Sequence, residues 1–182
     1  GTIAERNLII DCDRGIGYGL GDRGHTGGIV RNNMIHRGDN PGDVAIGLES
    51  SPGTQVINNT VFYLNAYPNA IEYRFSSTTN VQIVNNLTNR NIQARDGASG
   101  TESSNVDGAQ ESWFVDAPGA DLHLASRVPG VADSGEEVAG LTDDFDRGPR
   151  PEGAGIDIGA DEYNSPADDT TPPRAPTGLV VQ

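Results

Sequence analysis

Short runs of alternating apolar and polar residues recur along the first two thirds of this chain, each closed by Gly, Asn, Ser or Pro. In NAIEYRFSS (69–77), Ile71, Tyr73 and Phe75 alternate with Glu72 and Arg74. A period of two predicts a strand with one face buried and the other in water. No helical stretch separates these runs.

The runs repeat. GIVRNNMIH (28–36), TQVINNTVFY (54–63) and VQIVNNLTNR (81–90) align on the pairs Asn32-Asn33, Asn58-Asn59 and Asn85-Asn86, spaced 26 and 27 residues apart. A second set aligns with them: GIGYGLGDRG (15–24), DVAIGLESS (43–51), AIEYRFSS (70–77) and NIQARDGA (91–98). A period of this length, made of short strands and polar turns, predicts a β-solenoid, specifically a right-handed parallel β-helix. Successive coils then stack about 4.8 Å apart, so equivalent residues are neighbours. Asn suits the corner because it tolerates left-handed backbone and its amide can bond along the stack. A sandwich or barrel would not return the same dipeptide at a fixed interval.

Stacking converts the alignment into a surface. The inward columns read Tyr18–Val44–Ile71–Ile92 and Leu20–Ile46–Tyr73–Ala94. The outward ones read Gly19–Ala45–Glu72–Gln93, Gly21–Gly47–Arg74–Arg95 and Arg23–Glu49–Ser76–Gly97. Glu49, Glu72, Arg74, Arg95 and Arg23 therefore share one glycine-floored face. Two readings compete there. Stacked charges can be an ordinary salt-bridge ladder contributing about 0–1 kcal/mol per pair. Arginines stacked on one another can instead hold a sugar carboxylate in their bidentate forks.

Charge narrows the partners. The net charge is −14 and all 12 basic residues are arginine. Nucleic acid and anionic membranes, which require clustered cations, are excluded as expected partners. No apolar run approaches the roughly 20 residues that cross a bilayer. The single Cys12 rules out an internal disulfide and reads as a small buried hydrophobe.

The Asn-Asn coils resemble those of right-handed parallel β-helix proteins of the pectate-lyase-like superfamily. DLHLASRVPGVADSG (121–135), followed by DDFDRGPRPEGAGIDIGADEY (143–163), resembles the closing segment of many secreted bacterial β-helix proteins. The resemblance implies a secreted or cell-surface location and a polysaccharide partner. Lyases of that superfamily use calcium held by Asp and Glu, with Lys or Arg as base. Here the base would be Arg, His or Tyr, and no set of calcium carboxylates stands out, so calcium enters only as an option and no metal ligand is assigned.

The chain thus divides into coils over 1–112, a cap over 113–163 and a Pro-rich linker over 164–182. In the cap, Trp113, Phe114, Leu122, Leu124 and Val128 should cover the last coil, while Asp157, Asp161 and Glu162 satisfy turn amides. Asp143, Asp144 and Asp146 read equally as a solvated turn or a cation site. The linker runs towards a fibronectin type III-like domain. The first coil is expected to be covered by upstream coils or a partner chain.

Glu72, Arg74, Arg95 and His25 are the candidate catalytic residues, with Arg23, Glu49 and Tyr67 as substrate contacts. His25 earns its place from a glycine-rich turn beside Asp22 and Arg23, and Tyr67 from the long turn 64–70 overhanging the face. Paired acids such as Glu49 and Glu72 would also serve a glycosidase. His36 and His123 are weaker candidates, Tyr63 is a further aromatic for stacking on sugar, and Tyr73 reads as core. Two functions follow: a carbohydrate-active module that binds or cleaves a polysaccharide, or a non-catalytic scaffold or adhesin segment.

Overall fold

A computed structural model describes residues 1–163, so the linker expected over 164–182 lies outside the described residues. The first coil comprises β1 (Ile3–Glu5), β2 (Leu8–Ile10) and β3 (Ile16–Tyr18). The second comprises β4 (Ile29–Arg31), β5 (Met34–Arg37) and β6 (Ile46–Glu49). Then follow β7 (Gln55–Ile57), β8 (Thr60–Tyr63) and β9 (Asn69–Arg74), and β10 (Val81–Val84), β11 (Leu87–Thr88) and β12 (Asn91–Arg95). A last rung is β13 (Gly100–Ser103). Every third strand pairs in parallel, giving three sheets ordered β1-β4-β7-β10-β13, β2-β5-β8-β11 and β3-β6-β9-β12. The fold is a parallel β-solenoid.

Alternation decides what fills it. Ala4, Val30, Val56 and Ile83 stand in one register column and Ile9, Ile35 and Val61 in another. With Ile46, Leu48, Ile71 and Tyr73 they form the interior. Tyr73 is core, as its alternation predicts, and its hydroxyl donates to Glu102 Oε1 at 2.6 Å.

The Asn pairs make one continuous corner between the first and second sheets. The leading residue of each pair takes the left-handed conformation, with φ of 51° at Asn32, 49° at Asn58 and 57° at Asn85. Arg6 and Ser104 take the same conformation where Asn is lacking. The second residue turns inward. The side-chain amide of Asn7 donates to Asn33 Oδ1 (2.8 Å), Asn33 to Asn59 (2.8 Å), Asn59 to Asn86 (2.9 Å) and Asn86 to Asn105 (2.9 Å). Each receiving oxygen also takes the main-chain N–H of the same donor residue. The three pairs seen in the sequence are therefore the middle of a five-residue ladder, which Asn7 and Asn105 extend without a preceding Asn.

The C-terminal segment reaches the last coil from its side, through Leu87 and Asn85. It contains β14 (Phe114–Asp116) and β15 (Asp121–Leu124), an antiparallel pair, and lies along the side of the solenoid. Phe114, Leu122, Leu124, Val128, Val131, Ile158 and Ala160 form a second core with Met34, Phe62 and Leu87, which point outward from the second sheet. That face is itself apolar, which gives the segment its docking surface. The outer Asn side chains fasten the segment: Asn32 donates to Asp143 O (2.8 Å), Asn58 to Asp157 O (2.9 Å) and Asn85 to Glu136 O (2.8 Å). Within it, Asp157 accepts from the N–H groups of Asp133 and Tyr163, Asp161 from Leu124, and Glu162 from Glu152 and Asp157. Arg150 and Glu162 pair with both side chains fully buried. The closing motif is thus a set of acids holding turn amides around one arginine.

The segment leaves the first coil's outward face bare. Leu8 and Ile10 stand in register with Met34 and His36 but are 51% and 46% exposed. Cys12, expected to be buried, is exposed on the same coil.

Replacing Asn59 with Ala orphans two buried donors of Asn33, each costing about 1–3 kcal/mol. We expect a loss of about 3 kcal/mol in urea unfolding, against less than about 1 kcal/mol for Asn7→Ala at the open end. Equal losses at the two positions would mean the amides act singly and not as a ladder.

Candidate functional site

The outward face of the third sheet carries most of the candidate residues. Its register differs from the aligned columns by two residues between β6 and β9 and by four between β3 and β6: Ile71 pairs with Ile46, Glu72 with Gly47, Tyr73 with Leu48 and Arg74 with Glu49. Below them, Gly17 pairs with Gly47 and Tyr18 with Leu48. Only the step from β9 to β12, with Glu72 on Gln93 and Arg74 on Arg95, matches the expected columns. The cause is the connection before each strand. Eight residues (38–45) precede β6 and five (64–68) precede β9, and Ala70 is an extra residue in the pairing with β12. A shift of two keeps every side chain on its face but changes its neighbours.

Glu72 is 3% exposed. Its Oε1 accepts from Tyr67 Oη (2.8 Å) and Asn69 Nδ2 (2.7 Å), and its Oε2 from Arg95 Nη1 (2.8 Å). The turn 64–68 brings Tyr67 over the carboxylate, closing it from solvent. Glu49, also buried, sits against a partner that sequence reasoning missed: Arg14 donates from Nη1 to Glu49 Oε1 (3.0 Å) and from Nε to Asp43 Oδ2 (3.0 Å). The glycine floor explains Arg14's position. A Cβ at Gly17 would stand 3.4 Å from Arg14 Cδ, so the arginine lies where the floor has no side chains. That column of glycines was the available signal. Gly21 N donates to the other oxygen of Glu49 at 2.5 Å. At Gly19, φ is +89° and a Cβ would fall 1.6 Å from Glu49 O, so only glycine fits.

Arg74 does not bridge to Arg95. It turns to Asp96, with Nε 2.8 Å from Oδ2, and its guanidinium lies over the Phe75 ring. The like charges are thereby separated, each by its own carboxylate. Arg23 is exposed in the neighbouring turn, outside this network. His25 is outside it too: Nε2 lies 3.2 Å from Thr2 Oγ1 and the ring packs against Tyr18. His36 is buried with neither ring nitrogen hydrogen-bonded, and burial lowers its pKa. Tyr63 is fully buried and offers no stacking surface.

The electrostatics suit holding charge more than moving protons. Burial, then Glu72 and Asp43, raise the Tyr67 pKa well above the ordinary phenol range. Hydrogen bonding to Glu72 raises that of Arg95. Neither is poised as a base, since a general base works best with a pKa near the operating pH. Calcium finds no cage here, because the carboxylates of this face are already engaged, Glu49 and Asp43 by Arg14, Glu72 by Tyr67, Asn69 and Arg95, and Asp96 by Arg74. A surface depression of about 530 Å³ lies elsewhere, lined by Gln110, Glu111, Ser112 and residues 114–118.

A second cluster lies in the C-terminal segment. Of the three neighbouring aspartates, Asp143 pairs with Arg6 and Asp144 accepts the N–H of Gly148. Asp146 joins His123, with Oδ2 2.7 Å from Nε2, while Asp121 Oδ1 lies 2.6 Å from Nδ1. Buried Asp161 completes the group. Burial works to lower the His123 pKa, but Asp146, Asp161 and Asp121 outweigh it and raise it to about 10. Burial pushes Asp161 up to about 7 against the pull of His123. Sequence reasoning passed over His123 because its partners are 23 and 38 residues further along the chain.

No family model, curated protein or solved structure matches this chain.

Burial raises the pKa values of Asp43 and Glu49, but for Asp43 Arg14, and for Glu49 the Gly21 amide with Arg14, outweigh it and leave both lowered. A lowered folded-state pKa contributes stability that is present above the unfolded value, near 4, and is lost as pH falls through the folded value. The Tm difference between the native chain and Arg14→Met should therefore be largest at pH 6 and shrink below about pH 4. A difference independent of pH would remove Arg14 from this role.

Proposed function

We propose that this chain is a non-catalytic parallel β-solenoid segment of a multidomain extracellular surface protein, and that its charged strand face is structural. One observation carries the reading: the acids and arginines best placed for chemistry are consumed internally. Glu72 is held by Tyr67, Asn69 and Arg95, Glu49 by Arg14 and Gly21, and Arg74 by Asp96. A lyase must leave an arginine free for the substrate carboxylate and a base beside its C5 proton, and this face supplies neither. The net charge of −14 further opposes a polyuronate. On this reading the kinship with pectate-lyase-like proteins extends to the coil and not to β-elimination. The secreted location rests on the closing segment's resemblance, and the multidomain setting on the Pro-rich run towards a fibronectin-like sequence.

A polysaccharide-binding role keeps one supporting observation. The side chains of Arg74 and Arg95 are 30% and 39% exposed on the same face, where a sugar carboxylate could approach them.

The two separate in one set of measurements. Incubation with uronate polysaccharides should give no absorbance from unsaturated products, and none of them should raise Tm. Glu72→Ala should cost about 1–3 kcal/mol in stability, by leaving the buried Asn69 amide without its acceptor and Arg95 without its carboxylate. Product formation that Glu72→Ala abolishes in a still-folded chain would overturn the scaffold reading.

A further inference from the structure

We propose that His123, Asp146 and Asp161 form a binding site for one divalent transition-metal ion of the zinc class. Their ligand atoms lie within 4.8 Å of one another, close enough to share an ion. One imidazole nitrogen with two carboxylate oxygens is a donor set zinc accepts, leaving a position for water. Calcium, which takes six to eight oxygens, suits it poorly.

Two further features point the same way. Asp161 is 8% exposed and carries a single hydrogen bond, from Leu124 N to Oδ2, which leaves Oδ1 free for a ligand. Oδ1 is not a sealed atom and stays open to an entering ion. Asp121 supplies the second feature. Its Oδ1 lies 2.6 Å from His123 Nδ1, so that nitrogen holds its proton and Nε2 is directed towards Asp146 and Asp161. Metal-binding histidines are oriented in this way, by a carboxylate on the nitrogen away from the ion.

The charge count agrees. Three carboxylates surround one imidazole, and a protonated ring leaves the group two negative charges in excess. When a divalent ion binds, the N–H bond at Nε2 breaks, its proton passes to solvent, and a metal–nitrogen bond takes its place. The ion, Asp146 and Asp161 are then neutral together, and Asp121 keeps the Nδ1 proton. Such an ion would add a staple between the turn carrying Asp146, β15 and the closing motif, beside the bonds from Phe145 N to Ala160 O and from Leu124 N to Asp161.

The test uses the full chain carrying Cys12→Ser, which removes the exposed thiol as a competing ligand. Titration with zinc chloride, followed by calorimetry, should show one ion bound per chain, with a Tm rise of several degrees. Calcium chloride should give neither. Asp146→Asn and Asp161→Asn should each weaken zinc binding about 100-fold or more, and Asp121→Asn about 10- to 100-fold. Should these variants unfold, cobalt(II) added to the Cys12→Ser chain should broaden the NMR signals of His123, Leu124, Phe145 and Asp161 first. Absence of binding at millimolar zinc, retention of affinity in both Asn variants, or broadening centred on His25 or His36 would overturn the site.

Discussion

The amide ladder from Asn7 to Asn105 is the constraint on which the rest of this structure depends. Each rung satisfies a side-chain oxygen with two donors and passes one side-chain donor to the next coil. A buried amide that misses its neighbour would cost about as much as several ordinary contacts supply. Coils are therefore locked in height and in rotation at this corner, and the strands leaving it inherit that register. The opposite corners have no such ladder. There the connections vary in length, and there the pairing departs from the aligned columns, by four residues between the first and second coils and by two between the second and third.

That contrast explains the charged face. Fixed at the Asn corner and free at the far one, the third sheet can carry different side chains at equivalent heights. Glycines on two coils leave room for Arg14 to lie flat, and the turn before β9 brings Tyr67 onto Glu72. The outcome is a closed network of pairs, in which burial and mutual neutralisation are matched. An open catalytic groove would need the reverse, with charges exposed and unpaired.

The solenoid, its parallel sheets and its core were legible because a repeat states them several times over. The dipeptide at 32, 58 and 85 fixed the coil length, and the alternation in NAIEYRFSS fixed which side chains face inward. The charged face was legible only as a face. Glu72, Arg74 and Arg95 were placed correctly relative to one another because β9 and β12 are joined by the part of the chain with the clearest repeat. Glu49 was set beside Ser76 and not Arg74, because alignment by period two cannot detect a shift of two. Arg14 and Asp43 were invisible for a different reason: they come from connections, and a connection has no repeat to align. The closing motif gave its own extent but not its docking surface, since Met34, His36, Phe62 and Leu87 read as ordinary strand residues until the segment lies against them.

The outer Asn side chains have a consequence for how the molecule comes apart. A solenoid whose coils touch only their neighbours is a one-dimensional array, and such arrays unravel stepwise from their ends. Here residues 136–159 span the stack, gripped at Glu136 by Asn85, at Asp143 by Asn32 and at Asp157 by Asn58, while Arg6 also reaches Asp143. Coils that are not adjacent are tied through a common strap. Losing an end coil therefore frees part of the strap, and losing the strap uncovers Met34, Phe62 and Leu87 together. Coils and strap are therefore expected to come apart together and not one coil at a time.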